Sequence, residues 1–512
     1  MAHRYESSHP QFLKDFREAN RLGQFERFNI LRNHVKFHNN VQVAATYNIP
    51  QRLLQTATID VLQTLIFAAL KETLNHQPIM GVTIADEGSP EPKWRRLAKI
   101  DLGEVVKIVD TDPKSGMDEW VREGHGLPFE RPDELPLWRV TVAAQKAAIT
   151  KGDSDVISFT VGFFYHHAIG DGLSGGAFHL TFLDALNALL SGKIKLPIDI
   201  TEAAIVSPPN LPLVPNIEIA TRLPVSILFV LKQIINTYVY SPIDPLNWSG
   251  PAISSGTPRP PVTQIRSFSL PVSIVTALLA LCRREKTTIT ALLTTLTARR
   301  LSTLYPTHSR FTATVPFSLR KFSGHKARDM GCFVSNIEPY FSSEVAPPRG
   351  YISCRSTTGS EESRSEIGDE ELWASARATK RVIDAKTANI KDQNVSLLKF
   401  VSDFPGFFYG KLGSKRENAF EISNIGVLDG GALGDGSVGG HGGEGKPRVC
   451  FDRVLFSASQ VFYGPPFYFC VASAKGGDMT VALSWEKNVV EEDDAVGMLD
   501  WLEEVLRGLA GW

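Results

Sequence analysis

The sequence predicts an α+β protein built in two halves, each a mixed sheet with flanking helices. Three observations carry that prediction. Stretches with the period-two alternation of half-buried strands are interleaved with stretches whose apolar residues recur at helical spacing. Two Pro-rich passages, "SPPNLPLVPN" (207–216) and "SSGTPRPPVT" (254–263), bracket an apolar connector and mark a crossover between halves. The chain then returns to strands and closes on one amphipathic helix, "DDAVGMLDWLEEVLRGLAGW". The expected division is a first half at 1–205, a crossover at 206–262 and a second half at 263–512.

Taken in order, the elements begin with helical spacing over about residues 10 to 28, through Phe12, Phe16, Ala19 and Leu22. A strand is expected at Val41–Tyr47, a helix at Val61–Leu74 and a strand at Ile79–Ile84. Pro136–Gln145 and Asp155–Tyr165 alternate as strands, the second with Ile157, Phe159, Val161, Phe163 and Tyr165 on one side. A helix then carries Phe178, Phe182, Ala185 and Leu189, with Ser174 as its N-cap and Gly192 as its stop. The second half opens with a strand at Gln264–Leu270, followed by helical patterns at 271–285 and 287–305. Next come a strand from Arg310 to Pro316, a helix at 370–386, and strands in "AFEISNIG", "VCFDRVLFSASQVF", "FYFCVASA" and "MTVALSW". Residues 343–368 and 429–446 have loop composition.

Composition narrows the function classes. The length of 512 residues is enough for roughly three domains, a range that large two-domain enzymes share. With 43% hydrophobic and 21% charged residues the chain can bury a sizeable core. A formal net charge of −1 excludes a global basic field that would recruit nucleic acid. The five cysteines, Cys282, Cys332, Cys354, Cys450 and Cys470, are scattered, odd in number and without a C-x-x-C. That argues against a disulfide framework or zinc site and for a reducing compartment. The N-terminus has no apolar signal-peptide core. Leu223–Tyr240 is too polar to span a membrane and is expected to be a packed helix or connector. A soluble, cytoplasmic monomer is expected. The terminal helices leave a peripheral membrane contact open, although the acidic polar face of the last one favours docking on the core.

One stretch asks for chemistry. An apolar strand ends at Tyr165 in "HHAIGDG" (166–172), and a helix follows. A histidine pair at a strand end is most often structural or solvent-facing. Here, however, a rigid strand positions the imidazoles, whose pKa starts at about 6.5, near the working pH of a general base. Gly170 and Gly172 leave room for a substrate to approach. Adjacent rings on a strand cannot easily serve one metal ion and no third ligand stands out, so no metal is expected. A second candidate, Gly440 to Lys446, matches G-x-x-x-x-G-K. Pro447 stands where a P-loop needs Ser or Thr and a strand follows, so this is a chance match in a glycine-rich loop.

"HHAIGDG" also fits the HHxxxDG signature of the CoA-dependent acyltransferase superfamily, which includes plant BAHD acyltransferases, chloramphenicol acetyltransferase and peptide-synthetase condensation domains. The wider chain most resembles the fungal alcohol acetyltransferases. The segments that carry the resemblance, in order, are "LGQFERFNILR", "LPLWRVTV", "TTITALLTTLTARRL", "VPFSLRKF", "ISNIG" and "LFSASQVFYGPPFYFCVASAKGGDMTVALSW". The resemblance implies two chloramphenicol acetyltransferase-like subdomains with an active-site tunnel between them. It implies acyl-CoA, acetyl-CoA above all, as co-substrate rather than bound cofactor, and a small-molecule alcohol as acceptor. His167 would be the general base in a ternary complex, with no covalent acyl-enzyme. Asp171 would pair with an arginine and fix the loop, with Arg320 the candidate partner and a plain surface arginine the alternative. His166 would be secondary, packing or hydrogen-bonding the loop. The tetrahedral intermediate needs a donor. Ser423 and Asn424 are candidates, although "ISNIG" also fits an ordinary turn, and Ser457, Ser459 and Gln460 are weaker ones. Plant BAHD enzymes carry DFGWG where this chain has "VFYGPPFYF" (461–469), which places it outside that branch. Two alternatives remain: a condensation-type transferase using a carrier-protein thioester, and a non-catalytic binding protein on the same fold.

Overall fold

The computed structural model describes residues 21–54, 56–151, 155–235, 244–355, 370–431 and 448–512. The part of the expected 10–28 helix up to residue 20, the P-loop-like match and parts of both loop stretches lie outside the described residues.

Two sheets organise the molecule. The first has five strands in the order Cys450–Ala458, Val41–Pro50, Val156–Tyr165, Trp138–Ala144, Val106–Asp110. All neighbours in it are antiparallel except the last pair. The second is a nine-stranded mixed sheet. Its main path runs Thr263–Leu270, Met479–Glu486, Phe467–Ala474, Phe420–Leu428, Arg310–Ser318, Tyr340–Ser342, Ile352–Ser353. One strand crosses the expected division. Cys450–Ala458 belongs to the second half in sequence but pairs along Val41–Pro50, so the first sheet's edge comes from the far end of the chain.

Each sheet has its own core. In the first, Val156–Tyr165 is buried on both faces rather than one, because helices cover it. Phe163 stacks on Phe178 of the helix Gly172–Leu190 at 3.9 Å between centroids. In the second, the helices Val272–Arg284, Ile289–Leu304, Glu370–Thr387 and Glu492–Leu509 bury their apolar faces. The last of these buries Met498, Leu499, Leu502, Val505 and Leu506, as its amphipathic pattern predicts. Fully burying one such side chain stabilises by about 1.5–3 kcal/mol.

Several local expectations change. Ser174 is not the N-cap of Gly172–Leu190. Asp171 is, and its carboxylate accepts the backbone N–H of Ser174. Gly192 does terminate that helix in the left-handed conformation, φ 71°. Ile79–Ile84 splits into a short 3-10 turn, Pro78–Gly81, and a strand from Val82, because Pro78 starts a tight turn before extension begins. The helical spacing expected over about residues 10 to 28 is met from Gln24 on, in a helix that runs past the expected end to His34. The connector helix Ile227–Ile235 is not packed: none of its residues is buried, and Ile227 and Leu228 are each 79% exposed. No helix among the described residues is long and apolar enough to cross a membrane.

Candidate active site

The histidine loop begins where Val156–Tyr165 leaves the sheet. His166 continues the pairing by one bond, N–H to the Leu137 carbonyl at 2.9 Å, and the chain then turns sharply. His166 is buried. Its Nδ1 accepts the backbone N–H of Ala168 at 3.0 Å, and its ring lies 5.8 Å from that of Phe129. Burial first, then His167 and Arg32, hold its pKa near 3. A neutral imidazole that accepts a backbone N–H shapes the turn.

His167 is half-buried and faces the other way, onto the wall of a cavity of about 320 Å³. That cavity lies between the sheets. The first half supplies Val41, His167 and Gly172; the second supplies Thr314, Glu421, Ser423 and Tyr468. Burial and then the Arg32 guanidinium hold His167 down to a pKa of about 4, while backbone carbonyls at His167 and Gly170 and the Asp171 carboxylate pull it up. At neutral pH the ring is therefore uncharged and able to accept a proton.

Asp171 fastens the loop to the other half. Its Oδ2 accepts from Arg320 Nη1 at 2.7 Å and from the Phe333 N–H at 3.1 Å. Its Oδ1 accepts from Arg320 Nη2, from the Ser174 N–H and from the Ser174 hydroxyl, at 3.0–3.1 Å. Both ends of the ion pair are buried, with side chains 6% and 4% exposed. Burial pushes the Asp171 carboxyl up. The Arg320 charge and these hydrogen bonds outweigh it and hold the pKa below the usual 3.8. Arg320 also donates to the Asp329 carbonyl at 3.0 Å and sits over the Phe333 ring. The pair thus joins residues 149 positions apart and sets the loop's angle to the cavity.

The two glycines have packing reasons. A Cβ on Gly172 would lie 2.7 Å from Ile425 Cγ2 and 2.9 Å from Phe456 Cζ. A Cβ on Gly170 would lie 2.6 Å from Ser174 Cβ. All three distances are shorter than real carbon contacts, so the close approach of loop, helix and second half requires glycine.

The remaining candidates separate. Ser423 is on the cavity wall, and its hydroxyl makes no hydrogen bond among the described residues. Asn424 is turned aside: its amide donates to Thr290 Oγ1 at 3.0 Å and accepts from the Gly426 N–H. Ser457 is enclosed in a relay in which His125 bridges it, at 2.8 Å, to Asn40, at 2.6 Å. That spacing resembles a nucleophilic triad, yet all three residues are fully buried and none lines the His167 cavity. Ser459 accepts the N–H groups of Asn39 and Asn40. Gln460 donates to the Ser484 carbonyl at 2.6 Å. Both tie strand ends together.

Sequence reasoning missed one side of the site. Phe25, Phe28 and Arg32 of Gln24–His34, together with His38, line the cavity. The His38 and His167 rings are 5.8 Å apart. Across from them Glu421 is pushed up to about 7 by burial, and Tyr468 hydrogen-bonds to it. A second, wider cavity of about 670 Å³ shares Phe28, Asn336, Asn394 and Leu398 with the first.

No family model matches the chain. It is 26% identical over 488 residues to the probable alcohol acetyltransferase crmB of Aspergillus fumigatus, covering 92% of this chain and 95% of that one. Its structure superposes on the trichothecene 15-O-acetyltransferase TRI3 of Fusarium sporotrichioides with a TM-score of 0.68 and 12% identity, covering 96% and 95% of the two chains. The fold is that of these acyltransferases. The first condensation domain of the calcium-dependent antibiotic synthetase shares it, at a TM-score of 0.57 and 14% identity over 96% and 95%. These likenesses extend through nearly the whole chain.

Proposed function

We propose that the protein transfers an acyl group, acetyl in the first instance, from acyl-CoA to the hydroxyl of a small-molecule alcohol, with His167 as general base. The observation that carries this reading is an uncharged imidazole on the wall of a cavity between two sheets, on a loop clamped from behind by a buried ion pair. The two adjoining cavities offer space for two molecules to meet at that ring, and proximity supplies much of the rate. The name of the relative crmB, which matches over nearly its full length, supports an alcohol as acceptor.

In this mechanism the acceptor hydroxyl hydrogen-bonds to His167. As its oxygen attacks the thioester carbonyl, the proton passes to the imidazole. The oxyanion that forms needs a donor aimed at it, and the unengaged Ser423 hydroxyl is the candidate on the wall. Collapse forms the ester, breaks the carbon–sulfur bond and expels the CoA thiolate, which takes from the imidazolium the proton that came from the alcohol. A base with a pKa near 4 holds the proton only briefly, which suits a step that hands it on at once. No acyl-enzyme is required.

The test is purified protein with acetyl-CoA and a panel of alcohols, read by release of free thiol. Turnover with acetyl-CoA supports the reading. Turnover only with an acyl group on a carrier protein would move the chain to the condensation-type alternative, because both share this fold.

A further inference from the structure

We infer that Arg32 is the seat for a carboxylate on a molecule reacting in the His167 cavity, so that one of the two substrates is an acid; the inference rests on reading that cavity as the acyl-transfer site. Arg32 lines the cavity and is 9% exposed. The groups in contact with it are uncharged. Nη2 donates to Asn29 Oδ1 at 2.7 Å, the guanidinium carbon lies 5.3 Å from the Phe28 ring centre, and Nε is buried with no hydrogen-bond partner. The Tyr463 phenol is the other hydrogen-bonding group beside it. Among the described residues no carboxylate comes within 4.0 Å of it.

Arg320 shows the contrast. It is as deeply buried, but Asp171 meets it with both oxygens and the Asp329 carbonyl with a third. A buried guanidinium without a counter-charge is costly, and a ligand that supplies the charge removes the cost. The remaining groups around it do not. His38, His166 and His167 are uncharged at neutral pH, and Glu421, beyond ion-pair distance, is pushed up by burial far enough to be partly protonated. The planar fork of an arginine matches a carboxylate in two parallel hydrogen bonds.

The placement has a consequence for the base. The Arg32 charge depresses the basicity of His167. A carboxylate seated on Arg32 would cancel that field and strengthen the base only when the acid-bearing substrate is in place. The acid can sit on the acceptor, as in a hydroxy acid, or on the acyl chain, as in a half-thioester of a dicarboxylic acid.

Benzoate and benzamide, matched in shape and different in charge, test the site directly by ligand-observed NMR titration. Wild-type protein should bind benzoate at least about tenfold more tightly than benzamide, the size of one charge-assisted hydrogen bond. In Arg32→Gln the preference should vanish while benzamide binding is retained, and Arg32→Lys should keep part of it. Equal affinities in the wild type, or a preference that survives in Arg32→Gln, overturns the assignment. Turnover then locates the acid. Mandelate favoured over mandelamide, with acetyl-CoA as donor, places it on the acceptor. Malonyl-CoA favoured over acetyl-CoA, with benzyl alcohol as acceptor, places it on the acyl chain. Turnover that prefers neither acid refutes the substrate class. If no donor is turned over while the benzoate preference holds, the acyl-transfer reading fails and the anion site stands.

Discussion

Replacing Asp171 with asparagine removes one charge and leaves the shape unchanged. The carboxylate accepts five hydrogen bonds, three at Oδ1 and two at Oδ2. An asparagine that keeps its oxygen toward Ser174 turns its NH2 onto Arg320 Nη1 and the Phe333 N–H; the N–H then has no acceptor and Nη1 keeps only Ser318 Oγ at 3.5 Å. Each orphaned buried donor costs about 1–3 kcal/mol. The stranded Arg320 charge brings the total to about 3–5 kcal/mol, the range found when one member of a buried pair is removed. Urea unfolding of wild type and Asp171→Asn, followed by tryptophan fluorescence, measures it. Adding Arg320→Met should recover part of the loss, because it removes the uncompensated charge. Acyl transfer should fall with stability in the single variant, because the loop's angle depends on the clamp. A loss below about 1 kcal/mol, typical of a surface pair, would refute the argument that this pair carries the loop.

Two further predictions concern the base and its surroundings. With the Glu421 titration near 7 removed by Glu421→Gln, the profile of kcat/KM should be flat from neutral pH down to about 4, where protonation of His167 removes the base, and adding Arg32→Gln should move that acid limb upward. A limb at the ordinary histidine value of about 6.5 in Glu421→Gln alone would mean that the cavity is wet. Gly172→Ala puts a methyl group 2.7 Å from Ile425 and 2.9 Å from Phe456. It should cost about 1–3 kcal/mol in a thermal or urea melt and raise KM, because the cavity wall must shift.

The order of strands and helices was legible wherever periodicity was strong, as in Val156–Tyr165 and the final helix. The helix Gln24–His34 was legible only up to about residue 28, and the reason is physical. It buries Glu26, Asn29 and Arg32 along with Ile30 and Leu31, because these polar groups find partners inside it: Glu26 accepts the Gly23 N–H and Asn29 accepts from Arg32. An amphipathic pattern cannot form under that condition. Beyond residue 28 its trace in the sequence was "LGQFERFNILR", recognisable by resemblance and silent about which residue faces the site. The Asp171–Arg320 pair, 149 positions apart, came from the resemblance as well, since no local pattern joins them. Asn424 and Ser457 show the reverse limit. Both have suitable chemistry and a plausible sequence position, and only the hydrogen bonds to Thr290, His125 and Gln42 reveal that they are already engaged. The exposure of Ile227–Ile235 was equally hidden, because an apolar run reads the same whether or not something covers it.

The most direct test of the account is the rate of ester formation by purified His167→Ala with acetyl-CoA and the best alcohol of the panel, beside the wild type and with folding checked by circular dichroism. Loss of a positioned general base predicts a fall of about 10²–10⁴-fold in kcat with the fold intact. A correctly folded His167→Ala that makes ester at the wild-type rate would show that His167 is not the base.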